Sequence, residues 1–473
     1  MKRILASSLA TLLATSAVFA ETKPAAPAPA AAAPAAAPAA PAADLKPFLD
    51  AIDLKDGDTL VFLGDSITHQ CLYTQYIEDF FYTRYPKLHI HFHNSGVGGD
   101  RAKDAITRFD EDVAAYKPKY VTILLGMNDG SYRDYDKAIF DTYQQDMTTV
   151  LDKIAGIGAT AIPMTPTMFD SRSKSMKGDN AEPRKTYYNG VLALYGAWLH
   201  EQAQNRGLGY VDMFSPLNNL TIAARKKTPN FTMIPDGVHP APTGQVVMAT
   251  AILEDIVPRS QCTQITVDEK AGKLAATASG GKVTDFNGTA DSVSFTFAAD
   301  RLPWVLPPDA VDGYKLTHAG HHYSNEKVSV RGLKAGKYTM KIDGETIGTY
   351  ASGQLAFGVE LEENDKTPEY QQALKVALLN QQRNNVAYHP LRDQYSQLKG
   401  KRRDLAKIDE KDPQYAAKKA EFETWYTGQK AKVAELLAQA KGFEDQIYQA
   451  NQPVPHKYEF APAPEEPAKS AKK

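Results

Sequence analysis

A serine at position 66 follows an apolar run and a Gly-Asp pair in VFLGDSITHQ, residues 61–70. Its hydroxyl is a poor nucleophile at neutral pH, so it needs a base within hydrogen-bond reach and a third group to hold that base. Far downstream, IPDGVHPAPTG carries Asp236 and His239 three residues apart, close enough for one turn to set a carboxylate against an imidazole. There Asp236 would fix the tautomer and stabilise the imidazolium, while His239 takes the Ser66 proton and returns it to a leaving group. An oxyanion formed on the way needs donors aimed at it. NSGVGGDRAKD offers the backbone N–H of Gly99 at the start of a helix, LLGMNDG offers the neutral amide of Asn128, and the N–H of Ser66 is a third donor. Each piece alone is ordinary, because Asp and Ser before a helix usually serve as caps. Their value lies in falling together.

The elements around these residues say where they fall. Strand-like runs occur at Thr59 to Leu63, His89 to Asn94, Tyr120 to Gly126, Thr160 to Thr165 and Gly209 to Met213. Helical patterns fill the gaps, as at Ala102 to Tyr116, Phe140 to Ile154, Tyr187 to Asn205 and Thr243 to Ile256. Short apolar strands alternating with helices predict a doubly wound α/β domain with a parallel sheet, expected over 44–262. Ligands of such sheets bind at the carboxyl edge, where Ser66, Gly99 and Asn128 would stand. From 263 to 360 the pattern changes to alternation and turns, as in VSVRGLKAGKYTMKIDGETIGTY, which predicts a small antiparallel β element. From 361 to 460 apolar residues at Val433, Leu436, Ala440, Phe443 and Ile447 make a helix stripe, and Pro390 and Pro413 divide the segment into a helical hairpin or three helices. That stripe reads as a lid, clamp or oligomerisation surface.

GDSIT with Ser66, GVGGD with Gly99, GMND with Asn128 and DGVH with Asp236 and His239 resemble the four blocks of the SGNH, or GDSL-type, hydrolase family. The resemblance covers roughly residues 44–262 and implies a flavodoxin-like doubly wound sheet, Ser66 as nucleophile, Gly99 and Asn128 in the oxyanion hole, His239 as base and Asp236 as its partner. Ile67 and Thr68 stand where the family name has Leu and often Ser. An ordinary α/β-hydrolase elbow needs Gly two residues after the serine, and Thr68 excludes it. The C-terminal half is similar to appendages on exported bacterial members, to which no activity is assigned.

The chain begins with Lys2 and Arg3, an apolar run and small residues at Val18 and Ala20, the pattern of a secretory signal over 1–20. The run is too short for the ~20 residues a bilayer needs, so no membrane segment is expected after cleavage. Residues 21–43 are Ala/Pro-rich and read as a semi-stiff linker, and 461–473 read as a disordered tail. A formal net charge of −2 leaves no electrostatic footprint for nucleic acid. Export to the periplasm or beyond allows Cys71 and Cys262 either to form a disulfide or to remain buried thiols. His318, His321 and His322 lack a Cys or carboxylate at ligand spacing and read as a surface loop, and His89, His91 and His93 as one polar face of a strand. No metal and no organic cofactor is called for. Asp65 reads as a hydrogen-bonding neighbour of the site, Asp100 and Asp129 as braces of its loops, and Tyr73, Phe169 and Tyr187 as aromatics that either stack on a sugar ring or pack.

These features point to a serine esterase with an ester-bearing small molecule or glycan as substrate, first of all O-acetyl groups on polysaccharide or peptidoglycan. Lipid esters and thioesters are the alternative within the class. A non-catalytic glycan-binding envelope protein is the alternative outside it.

Overall fold

Strand β1 (Thr59–Gly64) is buried from Leu60 onward, which suits only the centre of a sheet covered on both faces. It pairs in parallel with β2 (His91–Gly96) on one side and β3 (Tyr120–Leu124) on the other, and β4 (Thr160–Pro163) follows β3, giving the order β2-β1-β3-β4. The computed structural model describes residues 47–173, 184–257 and 263–464. The signal and linker, Cys262 and residues 465–473 lie outside the described residues. Cys71 carries a buried free thiol.

Helices α1 (Ser66–His69), α2 (Leu72–Arg84), α3 (Ala102–Asp112), α4 (Lys137–Gly156), α5 (Arg184–Arg206), α6 (Phe214–Arg225) and α7 (Pro242–Ile256) flank this parallel sheet, as its βαβ pattern requires. In α4 the buried residues Tyr143, Met147, Val150, Leu151 and Ile154 fall at the three- and four-residue spacing of one helix face. Core side chains such as Phe62 and Ile123, both fully buried, contribute about 1.5–3 kcal/mol each by leaving water. The strand expected at 209–213 is reduced to a single parallel bridge between Met164 and Val211. Asp212 ends it, because its carboxylate accepts the N–H groups of Phe214 and Ser215 and so starts α6.

The β element is larger than expected and forms two sheets. One holds β5 (Thr263–Lys270), β6 (Lys273–Ser279), β9 (Glu326–Val330) and β12 (Val359–Glu360) in the order β12-β9-β5-β6, with β5 and β9 parallel. The other holds β7 (Gly281–Gly288), β8 (Val293–Ala299), β10 (Lys337–Ile342), β11 (Glu345–Ala351) and β13 (His456–Pro462) in the order β11-β10-β13-β8-β7. Ile265, Val267, Phe295, Phe297, Val330 and Met340 close a core between them. Short helices α8 (Val311–Leu316), α9 (Ala319–Tyr323) and α10 (Ser352–Phe357) lie in the connections. Trp304, fully buried, donates its indole N–H to the Tyr76 carbonyl at 3.0 Å and so fastens this region to α2.

β13 corrects the reading of residues 461–473 as wholly disordered. Ala461 and Pro462 pair with Thr339 and Tyr338, because the alternation of Tyr458 and Phe460 buries one face of the strand and overrides the low-complexity composition that follows. The helical segment, α11 (Pro368–Arg383), α12 (His389–Leu405) and α13 (Tyr415–Ala450), is thus an excursion between β12 and β13. Residues 384–388 wind as one π turn into α12, with Pro390 in its first turn. The α13 stripe is spent inside the chain, since Leu436 and Ala440 pack with Leu391, Tyr395, Leu398, Val97 and Cys71.

Buried ion pairs join these helices to the parallel sheet. Arg383 reaches Glu78 at 3.1 Å, and Arg392 grips both oxygens of Asp112 at 3.0 and 2.8 Å. Asp112 also takes Arg108 at 2.6 Å and the His93 ring at 3.0 Å. Burial alone would raise the Asp112 carboxyl, yet the guanidiniums of Arg392 and Arg108 and the His93 ring hold it well below the usual range. His93, against expectation, lies under the appendage rather than on an open polar face, and burial pushes its imidazole down to about 4. His318 and its neighbours flank and form α9, and the fold sets Glu360 at 3.1 Å from His321 although they stand far apart in sequence.

Candidate active site

Ser66 is the first residue of α1, directly beyond the Gly64 end of β1. Asp65 caps that helix, its carboxylate accepting the Ile67 N–H at 2.9 Å. The Ser66 N–H is one of those that a helix start leaves without an intrahelical acceptor. Gly96, at the end of β2, permits α1 to close on the sheet, since a Cβ there would stand 2.3 Å from the His69 backbone nitrogen.

The loop from Pro235 to Ala241 brings the other groups. Asp170, after β4, donates its N–H to the Gly237 carbonyl at 2.9 Å, and Arg225 holds the Asp170 carboxylate with two bonds of 2.9 and 2.7 Å. At the far end, Gln245 of α7 accepts the Tyr73 N–H and donates to Gln70, so the loop is drawn toward α1. Asp236 Oδ1 accepts the N–H groups of Val238 and His239 at 2.9 and 2.7 Å, and Oδ2 stands 2.6 Å from His239 Nδ1. His239 Nε2 stands 2.8 Å from the Ser66 hydroxyl. Partial burial works to raise the Asp236 carboxyl, but the N–H of His239, its ring and the Val238 N–H outweigh it and keep the group below its ordinary value. Ser66, His239 and Asp236 therefore form one continuous chain of hydrogen bonds.

Gly99 occupies a turn with φ +69°, a left-handed conformation that costs glycine little. Asn128 directs its amide N–H into the same corner, donating to the Asp100 carbonyl at 3.0 Å and facing Asp65 Oδ2 at 3.4 Å. Tyr132 donates its hydroxyl to Asn128 Oδ1 at 2.9 Å and so selects which end of the amide points which way. No feature of the sequence marked Tyr132, whose part depends on two left-handed residues, Ser131 and Tyr132, that turn the loop back. Asp129 braces the start of α3 by accepting the Ala102 N–H at 2.9 Å. Asp100 takes Arg108 at 2.7 Å and, from α12, Lys399 at 2.8 Å, so a cation of the appendage stands beside the Gly99 turn. Of the three aromatics, Tyr73 is buried and shares a hydrogen bond with Thr68, and Phe169 is buried against Tyr132 and Tyr188. Tyr187 alone is exposed.

Burial raises Asp65 and Asp129 to about 7 each, and for Asp65 the neighbouring Asp129 and Asp100 carboxylates add to it. A carboxyl raised on folding binds its proton more tightly in the folded state, so stability falls as pH climbs from about 4 through 7. Asp129→Asn keeps an acceptor for Ala102 and removes the ionisation. It should raise the denaturation midpoint strongly at pH 8.5, less at pH 5 and hardly at all at pH 3, and equal shifts at all three would contradict the assigned cause.

A hydroxyl, imidazole and carboxylate in series is the arrangement of serine hydrolases. Residues 62–247 match the family model described as the GDSL-like lipase/acylhydrolase family. The chain is similar to an acetylxylan esterase of Geobacillus stearothermophilus, 26% identical over 223 residues that make up 42% of this chain and 94% of that one. It is also similar in fold to a gut microbial diltiazem-metabolizing enzyme of known structure, with a TM-score of 0.74 and 23% identity over 88% of this chain and 99% of that one. The family match over residues 62–247 and the esterase relative together support a carboxylic ester hydrolase with an SGNH, or GDSL-type, domain. Among the described residues no helix is long and apolar enough to cross a membrane.

Proposed function

We propose that the protein is an exported O-acetylesterase acting on polysaccharide or peptidoglycan through an acyl-enzyme. The observation that carries this reading is the unbroken relay from Asp236 through His239 to the Ser66 hydroxyl, with separations of 2.6 and 2.8 Å. Ser66 Oγ attacks the ester carbonyl carbon while its proton passes to His239 Nε2. The carbonyl electrons move onto oxygen, where the N–H groups of Ser66 and Gly99 and the Asn128 amide meet the charge. Collapse breaks the bond to the alkoxy oxygen, and His239 gives that oxygen its proton. Water then repeats the sequence on the acyl-enzyme and frees acetate.

Two features support acetyl groups on a bulky polar substrate. The likeness to an acetylxylan esterase spans nearly the whole of that protein. The side chains of His239 and Asp236 are 36% and 47% exposed, an open rim that suits a polymer better than a long acyl chain needing burial. A retired glycan-binding site would have no need to keep the relay aligned.

Acetate released from acetylated xylan, other acetylated glycans and acetylated peptidoglycan is the direct test, run beside p-nitrophenyl esters of increasing chain length. Acetate release from a glycan with turnover falling steeply beyond short acyl chains is expected. Preference for long acyl chains and no acetate from any glycan would replace this reading with a lipid esterase.

A further inference from the structure

We propose that His69, His389 and Asp393 form a binding site for one zinc-type divalent cation, tying the appendage to the short helix that begins at Ser66. His389 and Asp393 are four residues apart on α12 and so share one helix face. His69 is the last residue of α1, with its backbone N–H fixed on the Asp65 carbonyl at 2.9 Å. The site thus takes ligands from both halves of the molecule.

The separations favour a metal over direct pairing. His69 Nε2 lies 3.4 Å from Asp393 Oδ1, and His389 Nδ1 lies 3.8 Å from Asp393 Oδ2. Both exceed a good charge-assisted hydrogen bond of about 2.7–2.9 Å. The first comes close to the edge of a tetrahedron, about 3.3 Å, whose centre lies the usual 2.0–2.2 Å from nitrogen and oxygen ligands, and the second, to the other carboxylate oxygen, is longer. One ligand atom from each residue falls within 4.8 Å of the others. The two imidazole rings lie next to each other, edge to face, with centroids 5.1 Å apart.

Chemistry and access agree with the spacing. Two imidazoles and one carboxylate suit zinc and its neighbours, whereas calcium and magnesium prefer oxygen alone. The side chains of His389 and Asp393 are 50% and 53% exposed, so a cation has a path from solvent and a place for a bound water. Arg392, next to Asp393 in sequence, is committed to Asp112 and does not compete for Asp393. A second cluster, His321 with Glu360 and Glu362, is less suited, because both Glu362 oxygens already face donors on Asn325 and Glu326.

The test titrates Zn²⁺ into the full chain after chelator treatment, by calorimetry and by thermal denaturation. One saturable equivalent and a higher denaturation midpoint are expected. His389→Ala and Asp393→Asn should each weaken that binding at least about tenfold while leaving metal-free ester turnover unchanged. His239→Ala should keep it. Absence of saturable binding in the wild type, or binding that survives both α12 substitutions, or binding lost with His239, would overturn the proposal.

Discussion

Ser66→Ala is expected to lower turnover of a short-chain ester by about six orders of magnitude, the scale seen when a nucleophile that works as part of a relay is removed. The reason lies in the geometry. His239 Nε2 has the Ser66 hydroxyl at 2.8 Å, and without that oxygen the base holds a proton acceptor with no nucleophile to activate. Asp236 then orients an imidazole that has nothing to deprotonate. Because the three groups act as one unit, Ser66→Ala combined with His239→Ala should cost scarcely more than either alone. Multiplicative losses in the double variant would mean that the two side chains act separately, and the relay would have to be abandoned. A fluorophosphonate probe gives an independent reading, since it should label the wild type and not Ser66→Ala.

Arg392→Met is expected to destabilise the protein by about 3–5 kcal/mol, the cost of stripping one partner from a fully buried pair. Both side chains are completely buried, so water cannot replace the lost guanidinium. Asp112 keeps Arg108 and His93, but Arg108 is shared with Asp100, Ser95 and the Gly64 carbonyl. The double variant Arg392→Met with Asp112→Asn removes the stranded charge and should recover a large part of the loss. Denaturant titration of the four proteins decides it, and a double variant no more stable than Arg392→Met would refute the account. The pH dependence has a defined sign. The Asp112 carboxyl is lowered on folding, so its contribution is complete above the ordinary carboxylate range and is lost as pH falls below about 4.

The parallel sheet was legible because β1, β3 and β4 are short apolar runs and the β2 region alternates His with apolar residues, and the site was legible because its residues stand where those strands stop. Ser66 follows β1, Gly99 follows β2, and Asn128 follows β3. Their loops could be placed on one edge from strand direction alone. The weak strand at 209–213 misled because its apolar residues look the same whether they make a ladder or one bridge. What the sequence could not reveal are the pairings that cross an inserted segment. Arg392 finds Asp112, Lys399 finds Asp100 and His69 finds Asp393 across roughly three hundred residues, and none of these side chains carries a local signature of its partner. Composition misled at Ala461, where Pro and Ala suggested a tail and the preceding alternation belonged to a strand.

The last strand of the sandwich sits in the interior of its sheet, with β10 on one side and β8 on the other. During synthesis those two neighbours are made more than a hundred residues before the segment that joins them. Until it arrives, both present bare hydrogen-bonding edges of the kind that invite pairing with other chains. A chain that stops before His456 therefore lacks the strand that joins β10 to β8 and cannot complete its own sandwich.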